Sequence, residues 1–171
     1  MTEKIAHALA NELSRRRLKI VFAESCTGGL VSAVLAGVPG ISEWLCGSAV
    51  TYRCNTKVAW LGVSASEIDL HTAVSREVAQ QMATGVLEKT PEADLALSIT
   101  GHLGPNAPQG FDGLVFVGVG MRLEKRIFKS EVIRHELQAV ERGARQREAA
   151  GFVMQIALDR IEDSRYGCGQ N

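Results

Sequence analysis

The sequence predicts an α/β fold, a three-layer α/β/α sandwich around a mixed, mostly parallel sheet of about five strands. Three observations lead there. Short apolar runs of strand length alternate along the chain with longer stretches whose apolar residues recur at helical spacing. The first such run, residues 19–23, passes at once into a polar, glycine-rich turn and then an apolar stretch of helical length, an order that open α/β sheets use at their ligand-binding edge. The composition is that of an ordinary globular chain: 46% hydrophobic and 22% charged residues disfavour disorder and low-complexity linkers. At 171 residues, a core needs no disulfide staples, and we expect one domain over 1–165 and a flexible tail over 166–171.

The elements follow in order. Ile5, Ala8, Leu9 and Leu13 share one helical face, with Thr2 as an N-cap and Arg15, Arg16 and Arg17 at the C-terminal end, where cations are favoured. Residues 19–23 form a buried strand, and Leu30 to Leu35 a helix after the glycine turn. Pro39-Gly40 breaks the chain before a second strand from Cys46 to Tyr52. Asn55 to Leu61 is a short helix ended by Gly62, with Ser64 or Ser66 capping the next turn. Val78, Met82 and Val86 make 75–89 an amphipathic helix that stops before Pro91. Asp94 to Ile99 is a buried strand, and the proline- and glycine-rich segment from Thr100 through Gly110 is a loop. Gly113 to Met121 and Arg126 to Ile133 pair as a hairpin. A long helical pattern runs from Glu136 to Asp163, with an irregular start near Gly143.

Several function classes are disfavoured at this level. With 19 basic against 19 acidic side chains, the chain lacks the basic excess on which bulk attraction to nucleic acid depends. The opening residues carry no signal-peptide pattern, and no apolar run approaches the roughly 20 residues of a membrane span. Cys26, Cys46, Cys54 and Cys168 have neither disulfide-framework nor zinc-ligand spacing, so free thiols in the cytoplasm and no metal are expected.

Chemistry concentrates at strand ends. In the turn Glu24-Ser25-Cys26-Thr27-Gly28-Gly29, Ser25 sits where a nucleophile or phosphate ligand would, although Ser25 or Thr27 equally suits a helix cap. Neither a Walker motif nor a dinucleotide fingerprint is present. The turn Thr100-Gly101-His102-Leu103-Gly104-Pro105 also follows a buried strand, so Thr100 and His102 could touch a ligand in the same crevice. Lys57, at the start of a helix after Tyr52, can act as a base only if burial lowers its proton affinity; otherwise it is a surface charge. Cys26 reads as a buried structural thiol, and Glu24 as a salt-bridge partner or a group orienting Lys57.

Taken together these stretches resemble the C-terminal domain family of the competence/damage-inducible protein CinA, whose stand-alone members include nicotinamide mononucleotide deamidase. The resemblance runs from about Ala6 to Leu158. It rests on AESCTGGLVSAVLAGVPGISEWLCGSAVTY at 23–52, LGVS at 61–64, HTAVS at 71–75, DLALSITG at 94–101 and Gly104-Pro105. It implies a three-layer fold and metal-free, cofactor-free hydrolysis of the carboxamide of nicotinamide mononucleotide to nicotinic acid mononucleotide and ammonia. By motif, Ser25 matches the family's nucleophile and Lys57 its general base. Tyr52 and Thr100 match residues that support the dyad and the substrate. Val140-Glu141-Arg142 aligns with the family's G-D-R, which places Arg142 on the active-site arginine.

The resemblance further implies substrate contacts from Thr27, Gly28, Gly29 and Gly101, a small-molecule nucleotide as partner without nucleic acid or membrane, and a homo-oligomer. The chain departs from the family at Arg53-Cys54, which replace Ser-Asn, and in the loop 103–112. There Asp112 stands where the family has a cationic loop and is expected to weaken attraction for a phosphate. A divergent or non-catalytic nucleotide-binding or regulatory module is therefore the alternative expectation.

Overall fold

The computed structural model describes residues 2–123 and 126–163, of 128–130 the backbone only. The flexible tail expected at 166–171, with Cys168, lies outside the described residues. Six α-helices and five strands follow in the order α1 (Thr2–Arg16), β1 (Ile20–Glu24), α2 (Leu30–Ala36), β2 (Leu45–Val50), α3 (Cys54–Leu61), α4 (Ala65–His71), α5 (Arg76–Lys89), β3 (Leu95–Gly101), β4 (Leu114–Leu123), β5 (Arg126–Glu136) and α6 (Arg142–Glu162). The strands lie side by side as β2-β1-β3-β4-β5. β1 runs parallel to both neighbours, whereas β4 is antiparallel to β3 and to β5, so four strands point one way and β4 the other. The sheet is mixed and the strand count is the expected one.

Alternation along the central strands divides the core. Ile20 and Phe22 of β1 and Leu95, Leu97 and Ile99 of β3 pack with α1, α2 and α6. Val21 and Ala23, with Ala96, pack against α3 and α5 on the other face. Successive side chains of a strand point to opposite faces, so uniformly apolar strands demand helices on both sides. That requirement produces the three layers. α5 approaches α3 so closely that a Cβ on Gly85 would stand 1.9 Å from the carbonyl oxygen of Leu61. Only glycine permits that crossing, and it fixes the helix that carries Lys57.

Several boundaries move relative to the sequence expectation. The last helix begins at Arg142 rather than Glu136, because β5 continues to Glu136 in register with Leu114 of β4. The backbone N–H groups of Gln138 and Ala139 then donate to the Glu148 carboxylate, both at 2.8 Å, which holds the connection extended ahead of the helix. Thr2 already lies within α1, and Cys54 rather than Asn55 opens α3. Ser64, not Ser66, caps α4 by accepting from Glu67 N–H. Lys19 precedes β1, its N–H donating to Asp94 at 2.8 Å. Among the described residues no helix is long and apolar enough to cross a membrane.

Candidate active site

The carboxyl ends of β1, β2 and β3 open into one crevice. Ser25 follows β1 directly, and its N–H donates to Ile99 O of β3 at 3.0 Å, which seats the residue on the sheet edge. Lys57 reaches it from the first turns of α3. Its Nζ donates to Ser25 Oγ at 2.8 Å and to Thr51 O at 2.7 Å, and the side chain is 1% exposed. Burial pushes the amine below the ordinary lysine value, opposed only in part by the Cys54 and Cys26 thiols. No carboxylate forms an ion pair with it among the described residues. Burying a cation without a counter-anion favours the neutral amine, the form that can accept a proton.

Cys26, next along, is almost fully buried, and burial drives its thiol up to about 12, so it is a packed thiol rather than a nucleophile.

The glycine turn is built differently from a phosphate cradle. Glu24 is wholly buried and its carboxylate accepts six hydrogen bonds. Oε2 takes Thr27 Oγ1 at 2.8 Å and the N–H groups of Gly29 and Val31 at 3.0 Å. Oε1 takes Ser32 N–H, Ser32 Oγ and Ser48 Oγ at 2.9 to 3.0 Å. It thereby satisfies the otherwise orphaned donors at the start of α2. Gly28 and Gly29 have φ of 63° and 99°, left-handed values that glycine adopts without strain and that bend the chain back onto Glu24. Gly28 N–H donates to Ser25 O.

Thr27, Gly28 and Gly29, expected at the substrate, are thus engaged with Glu24 and Ser25 and do not line the crevice. Glu24 is neither a salt-bridge partner nor an orienter of Lys57. At this turn, no described residue accepts from the N–H of Thr27.

The crevice is a cavity of about 290 Å³. Ser25, Lys57, Tyr52, Thr100, Gly101 and Arg142, all expected from the sequence, line it together with His102 and the 103–107 loop. Thr100 is 1% exposed and its Oγ1 donates to Ala73 O at 2.7 Å, so the side chain braces the cavity wall. Gly101 lies where β4 crosses: a Cβ there would meet Val115 Cγ1 at 2.5 Å.

Arg142, the first residue of α6, spans the opening; one guanidinium nitrogen donates to Tyr52 Oη at 2.8 Å and the other to Gly104 O. Tyr52 is 57% exposed, and among the described residues its hydroxyl bonds Arg142 and neither member of the Ser25–Lys57 pair.

Asp112, expected to oppose an anion, is not in the lining. It forms a bidentate pair with Arg145, at 2.7 and 2.8 Å, and Arg145 Nε also donates to Ala139 O. The pair fastens the 103–113 loop to α6 and uses the acidic charge there, the guanidinium holding Asp112 below the usual carboxylate range. Sequence reasoning missed this pair and the acceptor role of Glu24. For Glu24 a signal existed in an acid preceding a turn whose downstream helix has no other cap.

Residues 2–161 match the CinA C-terminal domain family. A CinA-like protein of Chlorobaculum tepidum is 39% identical over 132 residues, covering 76% of this chain but 31% of its own length. A CinA-like protein of Dictyoglomus thermophilum is 44% identical over 114 residues, covering 66% of this chain and 28% of its own. The chain therefore spans about a third or less of the length of these curated relatives.

Among solved structures, a competence-damaged protein (CinA) superfamily protein from Klebsiella pneumoniae superposes with a TM-score of 0.85 at 28% identity, covering 94% of this chain and 98% of that one. The competence/damage inducible protein CihA from Agrobacterium tumefaciens gives 0.81 at 29% identity, with 92% and 95% covered.

Proposed function

The chain belongs to the CinA C-terminal domain family, and from that premise we propose that it is an amidohydrolase acting through a Ser25–Lys57 dyad on the carboxamide of nicotinamide mononucleotide. The observation that carries the reading is the 2.8 Å contact between Lys57 Nζ and Ser25 Oγ at a buried, unpaired amine. In the reactive form the amine is neutral and the hydroxyl donates to it. Lys57 takes the Ser25 proton as Oγ attacks the carboxamide carbon. A C–O bond forms, and the carbonyl oxygen becomes an oxyanion.

The backbone N–H of Cys26, the residue after the nucleophile and one that lines the cavity, is the donor we assign to that oxyanion; one such donor contributes roughly 3 kcal/mol to the transition state. Lys57 then returns its proton to the leaving nitrogen, the C–N bond breaks and ammonia departs. Water, deprotonated by the same amine, resolves the acyl-enzyme to the acid and restores Ser25. Among the described residues no Asp or Glu lines the cavity, which suits an anionic substrate, and Arg142 in the lining is the phosphate partner. The small-molecule nucleotide partner and a homo-oligomeric assembly belong to the same proposal.

The test is ammonia release from nicotinamide mononucleotide by purified protein. We expect turnover that Ser25→Ala and Lys57→Ala each reduce by more than about a thousand-fold while the variants stay folded. Folded wild type that binds the nucleotide yet releases no ammonia at millimolar substrate would overturn the reading in favour of a binding module.

A further inference from the structure

Among the described residues, His102 is a half-buried wall residue whose side-chain polar atoms the dyad does not use. Its backbone is tied on both sides, N–H to Leu114 O and C=O from Gly113 N–H, each at 2.9 Å, so the side chain springs from a rigid base. The ring lies edge-on to Phe111, with centroids 6.0 Å apart and planes at 86°. It lines the cavity half-buried, and neither ring nitrogen has a hydrogen-bond partner among the described residues. Neither ring nitrogen is a buried unsatisfied atom, so solvent reaches them in the open cavity and a ligand acceptor can take its place.

The placement indicates which part of a ligand that would be. Ser25, at the end of β1, and Lys57, from α3, are the buried polar pair of the lining. Arg142 bonds Gly104 O, two residues beyond His102, so guanidinium and imidazole share the rim formed by 102–105. A molecule with its carboxamide at Ser25 presents its far end to that rim.

We propose that His102 is a specificity-determining residue that, with Arg142, hydrogen-bonds the phosphate monoester of the substrate. This rests on the reading of the site as one for a phosphorylated amide and adds the residue by which this chain selects the phosphorylated form. The charged and titratable groups around His102 are Arg142 from α6, Tyr52 and Lys57 from the segment before and within α3, and Asp112 on its own loop, the last already paired with Arg145. None is a free carboxylate, and burial lowers the basicity of the ring, so the empty cavity favours the neutral form of His102. A bound phosphate dianion favours the imidazolium, and binding therefore takes up a proton.

The experiment measures dissociation constants by calorimetry in a Ser25→Ala background, where ligand is not consumed, for nicotinamide mononucleotide and for nicotinamide riboside, which lacks the phosphate. His102→Ala is expected to weaken the mononucleotide about ten-fold and to leave the riboside within two-fold. His102→Gln, which keeps a neutral donor, should recover most of that loss at pH 8 and little of it at pH 6.

Equal weakening of both ligands marks a merely structural role and overturns the proposal, as does no weakening of either, or failure of the parent protein to bind the mononucleotide. Phosphate discrimination through His102 in a protein that releases no ammonia would leave this inference standing and remove the hydrolase reading.

Discussion

Replacing Glu24 by Gln tests whether the start of α2, and with it the Ser25 turn, is organised by a carboxylate. The two side chains have nearly the same shape, so the change isolates hydrogen-bond polarity. All six groups around Glu24 donate to it, and three of them, the N–H groups of Gly29, Val31 and Ser32, cannot reverse. An amide nitrogen at the Oε2 position would face two backbone N–H groups; at the Oε1 position it faces one. The introduced amide therefore turns its nitrogen toward Ser32.

Ser48 Oγ can accept there, and Ser32 Oγ keeps its second acceptor, Gly29 O at 3.0 Å. One buried N–H remains unsatisfied, at about 1–3 kcal/mol, and the surviving bonds lose their charge assistance, about 1 kcal/mol each. Relief from burying a charge offsets part of this. The net loss is about 2–4 kcal/mol, or a fall in Tm of roughly 5–15 °C for a domain of this size. Calorimetric unfolding of the purified variant reads it directly. A change within about 0.5 kcal/mol, the scatter of an ordinary surface substitution, would show that Glu24 does not hold the turn.

Three further outcomes follow from the geometry. Because burial lowers the Lys57 value, activity should rise with pH along an acid limb below 10.5, and the unfolded chain binds more protons between the lowered value and 10.5. Stability relative to Lys57→Met therefore rises with pH through that window, and denaturation of both proteins at pH 7 and 10 checks the sign. Gly85→Ala places a Cβ against Leu61 O; overpacking of about 1–3 kcal/mol exceeds the helix-propensity gain of about 1 kcal/mol, and kcat should fall at least ten-fold as α3 shifts Lys57 from Ser25. Asp112→Ala releases the 103–113 loop from Arg145, so chymotrypsin should cut at Phe111 faster than in wild type, as mass spectrometry of the fragments would report.

Features set by local pattern were legible in the sequence, and those set by distant partners were not. β1 could be read from its unbroken apolar run, and the ligand-facing turn from its position after that run. Ser25 and Lys57 were identified by family motif, but their contact across 32 residues depends on α3 packing against α5 at Gly85. Residues 136–141 carry side chains compatible with a helix, yet pairing of Glu136 with Leu114 extends the strand, a tertiary preference that overrides local propensity.

Thr27, Gly28 and Gly29 looked like an anion cradle because a glycine-rich helix entry exposes N–H groups. The sequence could not reveal that Ser32 and Ser48, on α2 and β2, would join them around an internal carboxylate. Asp112 was misread for the same reason, since Arg145 lies on a helix more than thirty residues away.

The proposed dyad needs a neutral lysine, and the fold favours one by separating charges that lie close in sequence. Glu24 immediately precedes Ser25 and would, as a free carboxylate beside Lys57, stabilise the protonated amine and raise its proton affinity. Instead every acceptor site on Glu24 is filled from α2, β2 and the turn, and Lys57 finds only a hydroxyl and a carbonyl. Asp112, the other acid near the crevice, is drawn outward by Arg145.

What remains around the cavity, among the described residues, is a buried amine, a guanidinium and an imidazole with no carboxylate, so the site is electrostatically suited both to disfavour protonation of Lys57 and to attract an anion. The two requirements have one solution. Any substitution that places a carboxylate in the lining should raise the Lys57 value and weaken anion binding together, which makes the joint loss of kcat at neutral pH and of mononucleotide affinity the signature of this arrangement.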